Sequence, residues 1–162
     1  MRAAVLTAYG PPEVLELRDI PPPTCAPGEL LIDVHAAGIN PVDYKIRDGC
    51  QRAAIRLKLP TVLGMDVSGV VAEVGAGVSG FSVGDEVFSS PSHKLMGCYA
   101  EQVAIPADQV AKKPKNMSIV FNHNKRNIVA KGREKRRGVM VNTNSKVKQK
   151  FIVSILIRAF IA

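Results

Sequence analysis

The chain has 162 residues, of which 46% are hydrophobic and 22% charged, and this ordinary globular composition excludes wholesale disorder. There is no Trp, and aromatic residues make up only 5%, so the core must consist mainly of Val, Ile, Leu and Ala. The net charge of +8 is, taken alone, typical of proteins that bind nucleic acid or anionic surfaces.

The charge is divided very unevenly along the chain. Residues 1–117 hold 11 Lys and Arg against 13 Asp and Glu, for a net charge of −2. Residues 118–162 hold 11 Lys and Arg against one acid, for a net charge of +10, and they contain no Pro. We therefore divide the chain into a domain over 1–117 and a basic tail over 118–162.

The sequence shows no targeting signal and no paired cysteines, and this predicts a reducing, cytoplasmic setting. The first residues lack the apolar run of a signal peptide, and the three cysteines form no CxxC pair. No stretch reaches the roughly 20 apolar residues that a membrane span needs, and the apolar run 151–162 is too short.

Short apolar runs separated by Gly and Pro predict a mainly β domain. The helix expected among them begins after Asn40, with Pro41 at its first position, Asp43 in its first turn and Gly49 as its stop. Many short strands with one or two short helices are typical of a partly open barrel. The predicted strands are 3–7, 14–17, 29–37, 67–74, 86–89, 99–105 and 110–112.

Residues 75–80 spell GAGVSG, a literal GxGxxG motif after a predicted strand. A dinucleotide-binding fingerprint also requires a helix that opens at those glycines, because its N-terminus holds the pyrophosphate. The residues that follow, 81–88, read instead as a turn and another strand, so we interpret the motif as a turn.

Several ordered motifs give the domain a recognisable character. They are YGPPEVL at 9–15, AAGINPVD at 36–43, LGMDVSGVV at 63–71, and VG at 74–75 followed by GDEV at 84–87. Together they resemble the medium-chain dehydrogenase/reductase superfamily, and more closely its zinc-free quinone oxidoreductase-like branch. The resemblance covers residues 1–117 and implies a GroES-like catalytic domain, which in the family precedes a Rossmann domain that binds NADPH.

The resemblance also implies a site and a chemistry. Zinc-dependent relatives have Cys where this chain has Asn40, and a His-Glu pair at Met65-Asp66, so we predict no metal. Asn40 and Lys45 are then the candidates for contact with the nicotinamide ribose or the substrate oxygen, with Tyr44 as a further catalytic candidate. A quinone or enone is the implied substrate, reduced by hydride transfer from NADPH.

Each candidate also has an ordinary structural interpretation. Asn40 caps the helix in one interpretation, Lys45 is a solvated surface charge, and Tyr44 covers a hydrophobic edge. Asp43 is assigned to the helix start, and His35 in a strand and His93 in a loop are expected to be structural or exposed.

The tail departs from the family and leaves the function of the whole chain open. Residues 119–162 show neither a glycine fingerprint nor a βαβ pattern, and we expect them to be poorly ordered or derived from a frameshift. The first hypothesis is thus a truncated reductase, inactive alone, whose exposed interdomain face promotes self-association. The alternatives are a binding module whose tail attracts nucleic acid or anionic membrane, and a stand-alone cochaperonin that shares only the fold.

Overall fold

The computed structural model describes residues 1–115, apart from the side chain of His93. This part of the chain contains eight strands, one α-helix and three single 3₁₀ turns. The strands are β1 (Arg2–Leu6), β2 (Leu15–Asp19), β3 (Glu29–Gly38), β4 (Thr61–Val62), β5 (Asp66–Val74), β6 (Glu86–Ser89), β7 (Gln102–Pro106) and β8 (Val110–Lys112); the helix is α1 (Pro41–Arg47), and the 3₁₀ turns are Pro12–Val14, His93–Leu95 and Ala107–Gln109.

The strands form two antiparallel sheets. One sheet has the order β2-β1-β4 and the other the order β7-β3-β5-β6-β8. Two irregularities bend β3 against β5, between Leu31 and Ile32 and between Val34 and Ala36. A bridge between Ala3 and Ala100 joins the two sheets. This curled arrangement confirms the predicted mainly β, GroES-like, partly open barrel.

Alternation along the strands places the core inside the curl. In β3, Leu30 and Ile32 are fully buried, whereas Asp33 and His35 face solvent. The single helix adds Ile46 to the same cluster. The other large, fully buried side chains of this cluster are Leu6, Leu63, Val67, Val71, Val87, Cys98 and Ile105.

The predicted elements differ from the structure mainly at their ends. The second strand begins at Leu15 because Pro12–Val14 form a 3₁₀ turn first. The strand predicted at 99–105 begins only at Gln102, because the backbone of Tyr99 and Glu101 is bonded to β1 instead. The two-residue strand β4 was not predicted at all, since it is too short to show a pattern.

Several predictions fall outside the described residues or remain open. The tail 118–162 lies outside them, so neither its order nor its partners are tested. Among residues 1–115, no helix has the length and the apolar character needed to cross a bilayer. The domain boundary at 117 and the cytoplasmic setting stay predictions.

Candidate active site

The start of α1 is fixed by two reciprocal hydrogen bonds. Asn40 occupies the N-cap position with an extended backbone, and its N–H donates to Asp43 Oδ2 at 2.6 Å. The Asp43 N–H in turn donates to the Asn40 carbonyl at 3.0 Å. Asp43 therefore serves the helix start, as the sequence predicted, because its carboxylate satisfies a backbone donor that the helix itself leaves unpaired.

The side chain of Asn40 is held by the first residue of β5. Its amide Nδ2 donates to Asp66 Oδ2 at 2.7 Å, and the Ser90 hydroxyl donates to Asp66 Oδ1 at 2.6 Å. The pairing of β3 with β5 brings these residues together, since Gly38 lies opposite Asp66. Asn40 is therefore more than a helix cap, because a charged acceptor with two occupied oxygens fixes the orientation of its amide.

A second carboxylate lies buried directly behind this pair. Asp43 is only 3% exposed, and its Oδ1 has no hydrogen-bond partner among the described residues. Burial raises the pKa of its carboxyl, although the Asn40 N–H and the nearby Tyr99 hydroxyl work in the opposite direction. The Tyr99 hydroxyl itself donates to the Gly38 carbonyl at 3.2 Å.

The neighbouring thiol and phenol are both kept in their protonated forms. Burial raises the pKa of the Cys98 thiol, and the carboxylates of Asp66 and Asp43 raise it further. Burial and the Asp43 carboxylate likewise raise the pKa of Tyr99. Cys98 is consequently an inert thiol rather than a nucleophile, and Tyr99 is a hydroxyl donor throughout the physiological pH range.

The absence of a side chain at Gly64 lets its backbone pack directly against the Tyr99 ring. Its φ is +97°, and a Cβ placed there would lie 2.5 Å from Cδ1 of the Tyr99 ring. Its carbonyl accepts the N–H groups of Gly97 and Cys98 at 3.2 and 3.3 Å. Gly64 is thus closely packed on the Tyr99 ring, and only glycine fits at this position.

The other two predicted site residues lie on the solvent side of α1. Tyr44 follows Asn40 by four residues, so it stands one turn further along the same side of the helix. Tyr44 and Lys45 are both exposed, and so is Ile39, the residue before Asn40. The structure therefore connects Asn40 to Asp66 but gives Lys45 no ion pair within the described part of the chain.

Comparison with known proteins places this geometry in a family. Residues 26–115, more than half of the chain, match the family described as Alcohol dehydrogenase GroES-like domain. The chain belongs to this family. It is 41% identical over 118 residues to the human quinone oxidoreductase, covering 72% of this chain and 35% of that protein. It is also 41% identical over 124 residues to the Arabidopsis thaliana chloroplastic NADPH-dependent alkenal/one oxidoreductase, covering 72% and 32%.

Solved structures agree with the sequence relatives. The Escherichia coli quinone oxidoreductase complexed with NADPH superposes with a TM-score of 0.66 at 31% identity, covering 74% of this chain and 35% of that one. The predicted resemblance to quinone oxidoreductases and enone reductases of the medium-chain dehydrogenase/reductase superfamily is therefore confirmed. The chain spans about a third of the length of the curated relatives named here, and the match covers their GroES-like part.

Zinc-dependent members of this superfamily hold their metal with Cys, His and Glu side chains. This chain has Asn40, Met65 and Asp66 at those positions. Asn40 and Met65 are poor zinc ligands, and both oxygens of Asp66 already accept hydrogen bonds. Within residues 1–115, no three His, Cys, Asp or Glu side chains are grouped so as to hold a metal ion. The residues present do not fit a zinc ion, and a zinc-free site stays a prediction.

The glycine motif at 75–80 forms a turn, as predicted. No helix opens there, and the chain continues through turns to β6. A Cβ at Gly75 would clash with the Ala26 carbonyl, and the Gly75 N–H donates to the Glu29 carbonyl at 2.8 Å. Gly75 therefore serves close backbone packing at the start of β3.

Sequence reasoning missed the residues that hold Asn40 in place. Asp66 lies within the recognised 63–71 motif, but its role there depends on strand register, which the motif does not display. Ser90 and Tyr99 come from segments remote in sequence and carried no signal. His35 is exposed on β3, as expected, while His93 begins a 3₁₀ turn rather than a loop.

Proposed function

We propose that residues 1–117 form the substrate-side half of an NADPH-dependent reductase that acts on a quinone or an enone. The observation that carries this proposal is the Asn40 amide, held by Asp66 at 2.7 Å at the start of α1. Oriented polar groups of this kind are what a reductase without a metal needs, because nothing else in the site fixes the reactants. Relatives named as quinone and alkenal/one oxidoreductases support the choice of substrate class.

The described residues suit the nicotinamide end of NADPH and not its pyrophosphate. Bound NADPH would supply a hydride to the substrate. Asn40 would hold the nicotinamide ribose by its amide, and Lys45 would stabilise negative charge on the substrate oxygen from the exposed side of α1. The turn at 75–80 offers no helix N-terminus for the pyrophosphate.

The groups around Asn40 have supporting roles in this proposal. Asp66 is a positioning residue, since it acts through the Asn40 amide. Tyr44, on the same side of α1 as Asn40, offers a phenol or an apolar edge to the substrate. Tyr99 is buried and its hydroxyl donates to the Gly38 carbonyl, so it supports the backbone before Asn40 and does not take part in proton exchange with solvent.

The 162-residue polypeptide alone should bind NADPH too weakly to turn over. The pyrophosphate contributes much of the affinity for a dinucleotide, and the described residues offer it no cradle. We therefore expect no NADPH oxidation above the blank with a quinone or an enone. Clear oxidation by the purified chain would show that this part of the proposal is wrong.

The site itself is tested by a fusion of residues 1–115 to the nucleotide-binding domain of the human quinone oxidoreductase. We expect quinone-dependent NADPH oxidation, and a loss of about 10- to 100-fold in kcat for Lys45→Met and Asn40→Ala. Lys58→Met is the matched control, because Lys58 is also exposed but lies outside the site. Asp66→Asn should lower kcat more than it raises KM, since it disturbs the orientation of Asn40 and not the binding of substrate.

The fusion also separates the possible failures. A folded fusion that binds NADPH and keeps its kcat in the Asn40→Ala and Lys45→Met variants would contradict the proposed site. A folded fusion that binds NADPH and reduces neither a quinone nor an enone would contradict the proposed substrate class.

A further inference from the structure

A second concave site lies at the opposite end of α1 from Asn40. A cavity of about 660 Å³ opens beside the segment that follows the helix. This volume lies within the range of cavities that hold small organic ligands. We call it the arginine groove; it is lined by Tyr9, Arg52, Ala53, Arg56, Leu57 and Leu59.

The groove carries two positive charges without a carboxylate partner. Arg52 and Arg56 are both exposed, and neither takes part in the four ion pairs found among residues 1–115. No acidic residue lines the cavity. Asp48, the nearest acid along the chain, accepts the Cys50 N–H at 2.9 Å. The two guanidinium groups are therefore available to an external anion.

The floor of the groove is apolar and attached to the core. Leu57 and Leu59 are half-buried and pack against the main hydrophobic cluster. A ligand that fits must therefore combine an anionic group with an apolar body, because a bare anion would leave the leucines exposed and a neutral apolar molecule would leave the charges unpaired.

The groove is also held in shape by its own backbone. The Arg52 N–H donates to the Gly49 carbonyl at 3.0 Å, and the Arg52 guanidinium stands 4.9 Å from the centre of the Tyr9 ring. Tyr9 is fixed in turn, since the Gly10 N–H donates to the Arg47 carbonyl at 2.9 Å and Arg47 Nε donates to the Gly10 carbonyl at 3.1 Å. The contact with Tyr9 positions the Arg52 guanidinium, which lowers the entropic cost of binding an anion there.

We propose that the arginine groove binds a small organic oxyanion with an apolar body. The oxyanion lies between the guanidinium groups of Arg52 and Arg56, and the apolar body lies on Leu57 and Leu59. A guanidinium offers paired N–H donors that match both carboxylate and phosphate oxygens. This site goes beyond the proposed reductase function, because it uses none of the residues assigned to that reaction.

The test is a chemical-shift titration of the 162-residue chain with three ligands that share one apolar body: hexanoate, hexyl phosphate and hexanamide. We expect saturable binding of at least one oxyanion below about 10 mM, the affinity range of ligands of this size. Hexanamide should bind at least about tenfold more weakly because it lacks the charge. The two oxyanion arms show whether carboxylate or phosphate is preferred. Failure of both to saturate, or equal binding of hexanamide, would overturn the proposal.

Two variants locate the site. Arg52→Gln combined with Arg56→Gln should weaken oxyanion binding about tenfold or more. Arg18→Gln is the matched control, because Arg18 is also exposed but is paired with Glu16 outside the groove, and it should change the affinity less than about twofold. An equal loss in both proteins would show general charge attraction and overturn the assignment. The titration uses neither NADPH nor quinone, so its failure leaves the reductase proposal standing.

Discussion

The two ends of α1 present polar groups in opposite ways. At the N-terminal end, Asn40 and Asp66 are bonded to each other, and Asp43 is buried behind them. At the C-terminal end, Arg52 and Arg56 are exposed, with no carboxylate partner among the described residues. The first end is a site whose geometry is built by the protein itself, and the second is a site whose partner must come from outside. Substitutions of the bonded or buried groups at the first end should therefore affect stability strongly, whereas substitutions of exposed groups should affect it weakly.

The largest effect is expected at Gly64, which packs against the Tyr99 ring. Gly64→Ala adds a Cβ that would lie 2.5 Å from the Tyr99 ring, on a backbone with φ of +97°. We expect a loss of about 2–4 kcal/mol in the free energy of unfolding, measured by urea denaturation.

Gly77→Ala is the matched control for that substitution. Gly77 has a similar φ of +81°, but nothing lies within 4 Å of its added Cβ. It should lose only about 1 kcal/mol, the cost of the backbone conformation alone. Equal losses at the two positions would contradict the close packing on Tyr99.

The buried carboxylate gives the next effect, which depends on pH. Burial raises the pKa of Asp43 in the folded protein, so the folded state favours the protonated form. The stability of the wild type relative to Asp43→Asn should therefore increase as the pH falls through the raised pKa, and it should level off below the unfolded value. Urea denaturation of both proteins between pH 7 and pH 3 measures this difference.

Asp48 serves as the control, because its effect on folding stability should change with pH in the opposite direction. A hydrogen bond from the Cys50 N–H lowers the pKa of this exposed carboxyl. The wild type should thus lose stability relative to Asp48→Asn as the pH falls through the unfolded and then the lowered value. The stability of the wild type is compared with that of Asp43→Asn and with that of Asp48→Asn. If these two differences change with pH in the same direction, the burial of Asp43 does not control its ionisation.

The smallest effect on folding is expected at the exposed residues beside Asn40. Ile39 and Tyr44 are 44% and 46% exposed, so Ile39→Ser with Tyr44→Ser should change stability by no more than about 0.5 kcal/mol. If this surface promotes self-association, sedimentation velocity should show fewer dimers in the double variant. An unchanged distribution that contains dimers would place the contact elsewhere.

The sequence predicted the fold well where patterns are local. The apolar run at 29–37 and the capping residues Asn40, Pro41 and Asp43 predicted β3 and α1 within a few residues of their observed ends. The site was predicted only in part. Asn40 was found through a family motif, but the Asp66 carboxylate that orients it becomes a neighbour only through the β3–β5 register. The unpaired Oδ1 of Asp43 and the arginine groove depend on packing between distant segments, which no local pattern displays.

A double-mutant cycle between Asn40 and Asp66 tests the central claim most directly. Free energies of unfolding are measured for the wild type, Asn40→Ala, Asp66→Ala and the double variant. A fixed hydrogen bond to a charged acceptor predicts a coupling energy of about 1–2 kcal/mol between the two side chains. A coupling energy near zero would contradict the claim that Asp66 holds the Asn40 amide, and with it the prebuilt site at the start of α1.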